Sequence, residues 1–178
     1  MTPSADEALE SLLAETQTAV GARRKGAALE ELIAVAFARV PGLSVRYRNV
    51  FSRAGSQEID VVLWNDQHPS GFWFLPPILF AEAKNWTAPV GSAEVAWFDA
   101  KLQAGGQTAG FLVTANGITG DARARTDAYD VLFRAVARGR LLILLQAAEL
   151  AALRDPAALC ELVKERLCRL AVQTAPFA

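Results

Sequence analysis

Two stretches decide the fold: Gln57-Glu58-Ile59-Asp60-Val61-Val62-Leu63-Trp64 and Ile78-Leu79-Phe80-Ala81-Glu82-Ala83-Lys84. Each is short and rich in β-branched, aliphatic or aromatic residues. Turn residues precede both, Arg53-Ala54-Gly55-Ser56 in the first case and Pro76-Pro77 in the second, so each reads as a strand. Because side chains alternate along a strand, Glu58, Asp60, Val62 and Trp64 share one face, and Ile78, Phe80, Glu82 and Lys84 share a face of the other. Acids therefore stand inside otherwise apolar strands. A carboxylate is costly to bury unpaired, so these must meet one another, a metal, Lys84 or water at an open edge of the sheet. If the two strands are adjacent and antiparallel, Asp60, Glu82 and Lys84 converge.

Working outward, Leu43, Val45 and Tyr47 alternate with Ser44, Arg46 and Arg48, which predicts an earlier strand. A helix over 25–39 precedes it, with Leu29, Leu32, Ile33, Ala36, Phe37 and Val40 on one stripe and Pro41-Gly42 ending it. A weaker amphipathic helix covers 5–20. After the decisive strands, Ser92 is a plausible N-cap for a helix carrying Val95, Phe98 and Leu102, stopped by Gly105-Gly106. A strand over 110–114 follows, then a helix capped by Thr119 and reaching about 138, a buried strand over 141–145, and helices over 147–153 and 155–170. This order predicts an α/β fold with helices on both faces of one mixed sheet, its first three strands meandering and the later ones added by crossovers. The chain divides into an accessory helix (1–22), a core domain (23–150) and a helical extension (151–178).

The 178 residues are 52% hydrophobic and 21% charged with net charge −1, which excludes a disordered chain. No apolar run approaches the roughly 20 residues of a membrane-spanning helix. The acidic opening Met1-Thr2-Pro3-Ser4-Ala5-Asp6-Glu7 is unlike a secretory signal, so a cytoplasmic protein without membrane contact is expected. Cys160 and Cys168 lie eight residues apart in one predicted helix, about 12 Å along its axis, too far for a disulfide, and read as buried apolar residues. The single histidine, His68, in a polar loop, excludes zinc sites built on several histidines.

Paired carboxylates beside an ammonium suit metal-assisted phosphodiester hydrolysis. Hard oxygen ligands hold Mg²⁺ (or Mn²⁺) with waters retained, and a lysine can position or deprotonate the attacking water and offset charge growing on phosphorus. Helical periodicity sets Glu30 at the border of the apolar stripe and turns Glu31 away from it, so Glu30 is the candidate extra metal ligand and Glu31 a solvated residue. Arg23, Arg24, Lys25, Arg46, Arg48 and Arg53 are candidate phosphate contacts. The slightly acidic chain makes a weak freestanding DNA binder, which a homodimer or a partner supplying specificity would remedy. Trp73, Trp86 and Trp97 read as core or interface residues rather than base-stacking platforms.

Lys25-Gly26-Ala27-Ala28-Leu29-Glu30, Glu58-Ile59-Asp60 and Glu82-Ala83-Lys84 together resemble the PD-(D/E)xK restriction-endonuclease-like superfamily, in particular its Mrr-like branch, over about 23–150. The Glu-Ile-Asp run followed by Glu-Ala-Lys-Asn is also similar to the NERD branch. Ile59 stands where the signature has proline, and 54–58 differ from the usual Mrr run. The resemblance implies a restriction-endonuclease-like αβββαβ core, a mixed central sheet flanked by helices, with extra N- and C-terminal helices. It implies Asp60 and Glu82 as metal ligands, Lys84 as catalytic lysine and Glu30 as a further acid. The implied activity is that of a metal-dependent endonuclease acting on DNA in restriction, phage defence or repair. The alternatives are an inactive nucleic-acid-binding or assembly module on the same fold, and an RNA-directed nuclease.

Overall fold

The computed structural model describes residues 4–51 and 58–174. In chain order the elements are α1 (Ala5–Thr18), α2 (Ala22–Ala38), β1 (Leu43–Phe51), β2 (Glu58–Asn65), β3 (Ile78–Lys84), α3 (Ser92–Ala104), β4 (Ala109–Thr114), α4 (Asp127–Ala137), β5 (Leu141–Gln146), α5 (Ala147–Ala152) and α6 (Pro156–Thr174). The strands form one sheet in the order β1-β2-β3-β4-β5. The first three pair antiparallel, and β3, β4 and β5 pair parallel. This is the mixed α/β sheet that the alternation and the crossover helices predict.

Each face of the sheet has its own core. On one side α1, α2, α5 and the start of α6 pack around Leu29, Ile33, Phe37, Val61, Leu79, Phe111 and Ile143. The Phe37 ring lies 4.7 Å from that of Phe111 and 6.2 Å from that of Phe72, centroid to centroid. On the other side α3 and α4 cover Phe80, Leu112 and Leu142 through Val95, Phe98, Leu102 and Leu132. β4 is buried throughout, as expected of a central parallel strand covered on both faces.

α3 lies close on the sheet because β4 offers it a glycine. A methyl group on Gly110 would stand 2.8 Å from Phe98 and Leu102 side-chain atoms and 2.9 Å from the Phe80 carbonyl. Asp99 then ties α3 to the chain entering β5, accepting bonds from Arg138 Nη2 (2.8 Å) and Arg140 Nε (2.5 Å). At the opposite end of β2, buried Asn65 donates to the carbonyls of Phe72 (2.8 Å), Leu75 and Pro76 (3.2 Å each), folding the β2–β3 connection onto the core.

Three local expectations are corrected. The helix predicted to start at Thr119 begins only at Asp127, after Thr126. The intervening chain is claimed by tertiary bonds: Val90 and Ile118 form a parallel bridge, Thr119 N–H donates to Val90 O, and Gly120 turns with φ +94° against the Thr126 carbonyl. The N-cap of α3 is Gly91, and Ser92 is its first residue. Cys160 is buried but Cys168 is exposed, since α6 turns that part of its surface to solvent. Arg53 and the turn predicted at 53–56 lie outside the described residues.

Gly110→Val forces α3 off β4. We expect it to lower stability by about 1–3 kcal/mol in urea unfolding, the usual cost of overpacking a filled core.

Candidate active site

The sheet forks at Asp60 and Glu82. Pairing of β2 with β3 runs from Trp64↔Ile78 to Val61↔Ala81 and goes no further. Past that point β2 pairs only with β1, through Val50↔Ile59 and Phe51↔Glu58. β3 there pairs only with β4, through Glu82↔Leu112, Ala83↔Val113 and Lys84↔Thr114. Continuing the lost register would set Asp60 opposite Glu82. In place of a ladder bond, the Asp60 carboxylate accepts the Ala83 N–H through Oδ2 at 2.7 Å. The two acids therefore sit where the strands part, Asp60 half-buried and Glu82 buried.

Glu82 is 2% exposed, too deep to remain charged without partners. It has two. Lys101 Nζ, itself 5% exposed, donates to Oε1 at 2.8 Å and Oε2 at 2.7 Å, and Lys84 Nζ stands 3.0 Å from Oε1. Lys84 in turn contacts Glu94 Oε2 at 3.0 Å and the ring of Trp86 at 5.7 Å from its centroid. The result is a row of alternating charge, Lys101–Glu82–Lys84–Glu94, laid between β3 and α3.

Lys101 and Glu94 are the functional candidates that sequence reading passed over. Glu94 stands in the first turn of α3 and Lys101 in its last, where helices commonly carry an acid and a cation. The one available signal was position. Glu94, Lys101 and the apolar Phe98 recur at helical spacing, which puts a lysine beside the stripe that faces the sheet.

The electrostatics separate the two catalytic candidates. Burial, then the Glu82 charge, push the Asp60 carboxyl up to about 7; the Ala83 N–H and Lys101 pull it down, and Glu30 adds a smaller upward push. Burial alone would lower Lys84, but the charge and hydrogen bond of Glu82, followed by those of Glu94, outweigh it, and its ammonium is held above the usual lysine value. Lys84 is thus a persistent cation and a poor proton acceptor.

Glu30 and Glu31, in the middle of α2, differ as expected, with side chains 16% and 46% exposed. Glu31 is not merely solvated, since it bonds Arg48, whose guanidinium also lies 3.9 Å from Glu30. Arg48 is therefore neutralised by α2 rather than presented freely. Arg23, Arg24 and Lys25 occupy the first turn of α2, and Arg46 is exposed on β1. None of the three tryptophans is core: Trp73, Trp86 and Trp97 are 57%, 44% and 45% exposed.

Among the described residues no three His, Cys, Asp or Glu side chains gather closely enough to cage an ion. That is compatible with Mg²⁺, which is commonly held by one or two carboxylates, with water and substrate phosphate completing its shell. Asp60 and Glu82 fit that donor set. The upward push of Glu82 on Asp60 marks a place where a cation is favoured.

The family model Mrr_cat, restriction endonuclease, matches residues 22–153. The chain belongs to this family of restriction endonucleases, and its domain is a nuclease domain. No curated protein matches the chain. No helix of the described residues is long and apolar enough to cross a membrane.

Two outcomes follow from the buried charges. Lys101→Met should destabilise the protein by about 2–4 kcal/mol, below the full loss for an orphaned buried charge because Lys84 remains beside Glu82. Combining it with Glu82→Leu should restore much of that loss in chemical denaturation. Asp60 binds its proton more tightly folded than unfolded, so the native state holds more protons than the unfolded state between about pH 4 and 7. Stability of the metal-free protein therefore falls as pH rises through that window and levels off above it. Asp60→Asn should raise the melting temperature at pH 8 and leave it unchanged or lower at pH 4, as read by calorimetry in EDTA.

Proposed function

We propose that this protein is a divalent-metal-dependent endonuclease that hydrolyses phosphodiester bonds of DNA, acting in the cytoplasm in restriction, phage defence or repair. The forked sheet carries this reading: two carboxylates and an ammonium lie where β2 and β3 part, in a chain of a restriction-endonuclease family.

Asp60 and Glu82 would hold Mg²⁺ or Mn²⁺, with Glu30 reaching it through water. The bound ion supplies polarisation of the phosphoryl oxygen and a lowered pKa for the attacking water. Lys84 orients that water and offsets the negative charge that builds on the phosphoryl oxygens as the water oxygen attacks phosphorus and the P–O ester bond breaks. Because Glu82 and Glu94 keep Lys84 protonated, it does this as a cation, the water's proton passes to bulk solvent, and the departing alkoxide takes its proton from solvent. Lys101 is a positioning residue that holds both oxygens of the Glu82 carboxylate.

Arg23, Arg24, Lys25, Arg46 and Arg53 are the proposed phosphate contacts, with Arg48 available only when it leaves Glu31. One site cuts one strand, so breaking a duplex calls for a homodimer or for two binding events, and a protein partner would supply specificity. A second reading, a nucleic-acid-binding module without catalysis, has one observation in its favour: Lys101 already spans both oxygens of Glu82. An RNA-directed nuclease would use the same groups.

The test is cleavage of labelled single- and double-stranded DNA and RNA in Mg²⁺, Mn²⁺ or EDTA. Wild type should cut only with metal, and Asp60→Ala and Lys84→Ala should each slow cutting at least about 100-fold. Metal binding by calorimetry without any cutting would instead support the binding module.

A further inference from the structure

A cavity of about 210 Å³ opens at the carboxyl ends of β3, β4 and β5, the end of a parallel sheet where ligands characteristically bind. Its walls include Thr16 and Gln17 of α1, Lys25 of α2, Trp86 and Thr87 after β3, and Asn116 after β4. The walls are tied together. Asn85 Nδ2 donates to the carbonyls of Thr16 (2.9 Å) and Lys25 (2.8 Å), and Asn116 Nδ2 donates to those of Trp86 (2.7 Å) and Thr87 (3.2 Å). The cavity is thus preformed, and it is smaller than the roughly 300–1,000 Å³ pockets that take whole drug-sized ligands.

We propose that this cavity is a nucleobase pocket, in which one unstacked base of the substrate strand lies against Trp86 while its phosphate meets Lys84. The proposal rests on the nuclease reading above and goes beyond it by naming the form of the substrate. Trp86 is 44% exposed, and the ammonium of Lys84 lies 5.7 Å from its ring centroid, so a phosphate held by Lys84 has the indole within reach of its own nucleotide. Aromatic faces hold bases of any sequence by stacking. Lys25, in the cavity wall, with Arg23 and Arg24 beside it in the first turn of α2, supplies positive charge for the next phosphate along. Polar groups to meet the base edge are present too: among the described residues the side chains of Gln17 and Thr87 make no hydrogen bond. The base must leave its stack to enter, which a single strand, a frayed end or a mismatch permits at least cost. The site accordingly favours such positions over closed duplex.

The experiment is fluorescence anisotropy of a labelled oligothymidylate, of the same oligonucleotide with abasic positions, and of a closed hairpin duplex, all in EDTA so that nothing is cut. Wild type should bind the oligothymidylate more tightly than the other two. Trp86→Ala should weaken oligothymidylate binding about 5- to 100-fold. Trp86→Phe should keep most of it, and Trp73→Ala, an exposed tryptophan in the β2–β3 connection, should change nothing. Ala148→Trp, at the exposed rim on α5, fills the cavity without removing the indole and should weaken binding similarly, which settles the matter if Trp86→Ala unfolds. Failure of wild type to bind, or binding within twofold of wild type by folded Trp86→Ala and by Ala148→Trp, overturns the pocket. Trp86-dependent binding in a protein that cuts nothing with metal supports the pocket while removing the nuclease reading. Metal-dependent cutting with binding indifferent to Trp86 and Ala148 does the reverse.

Discussion

Glu82 is a carboxylate almost wholly removed from water at the middle of a five-stranded sheet, and the rest of the structure is arranged to keep it there. Burying such a group unpaired would cost several kcal/mol or force it to take up a proton. Lys101 answers most of that cost by meeting both oxygens, and it can do so only because α3 lies against β3 and β4 at the distance Gly110 allows. Asp99, two residues earlier in α3, fixes the same helix through two arginines. A glycine in a strand, a buried aspartate and a buried lysine thus serve one carboxylate.

The fork in the sheet follows from the same carboxylate pair. Two acids placed opposite each other on neighbouring strands repel, and Glu82, after burial, pushes the Asp60 carboxyl upward. The strands cease to pair at that point, and Asp60 turns to the Ala83 N–H. The charges around the pair come from two layers. On the α3 side Lys101 offsets Glu82 and Glu94 meets Lys84, and on the α2 side Glu30 adds a further negative charge, itself 3.9 Å from Arg48.

Much of the site was legible in the chain because it is written in local patterns. Alternation identifies β2 and β3 and places Asp60, Glu82 and Lys84 on their faces, and the seven residues of β3 were read without error. Helical phase separates Glu30 from Glu31 correctly in exposure. What escaped depends on partners far apart in sequence. Lys101 is 19 residues from Glu82, in a helix end where lysine is unremarkable. The delayed start of α4 depends on Val90, which captures Ile118 and Thr119 across the carboxyl end of the sheet. Glu31 looked solvated because Arg48, 17 residues on, belongs to a strand that folds back across α2.

The sequence by itself determined the mixed α/β sheet, the order of its elements and the identity of the acids and lysine at its centre, because periodicity and turn chemistry act over a few residues. Only the tertiary structure decided which charges meet. Whether Lys84 serves as a base or a cation, whether Arg48 is free for phosphate, and whether Trp86 faces a core or a cavity all turn on distances between elements. Those distances are set by close packing of α3, α2 and α1 against the sheet, and close packing is a property of the whole fold rather than of any stretch of the chain.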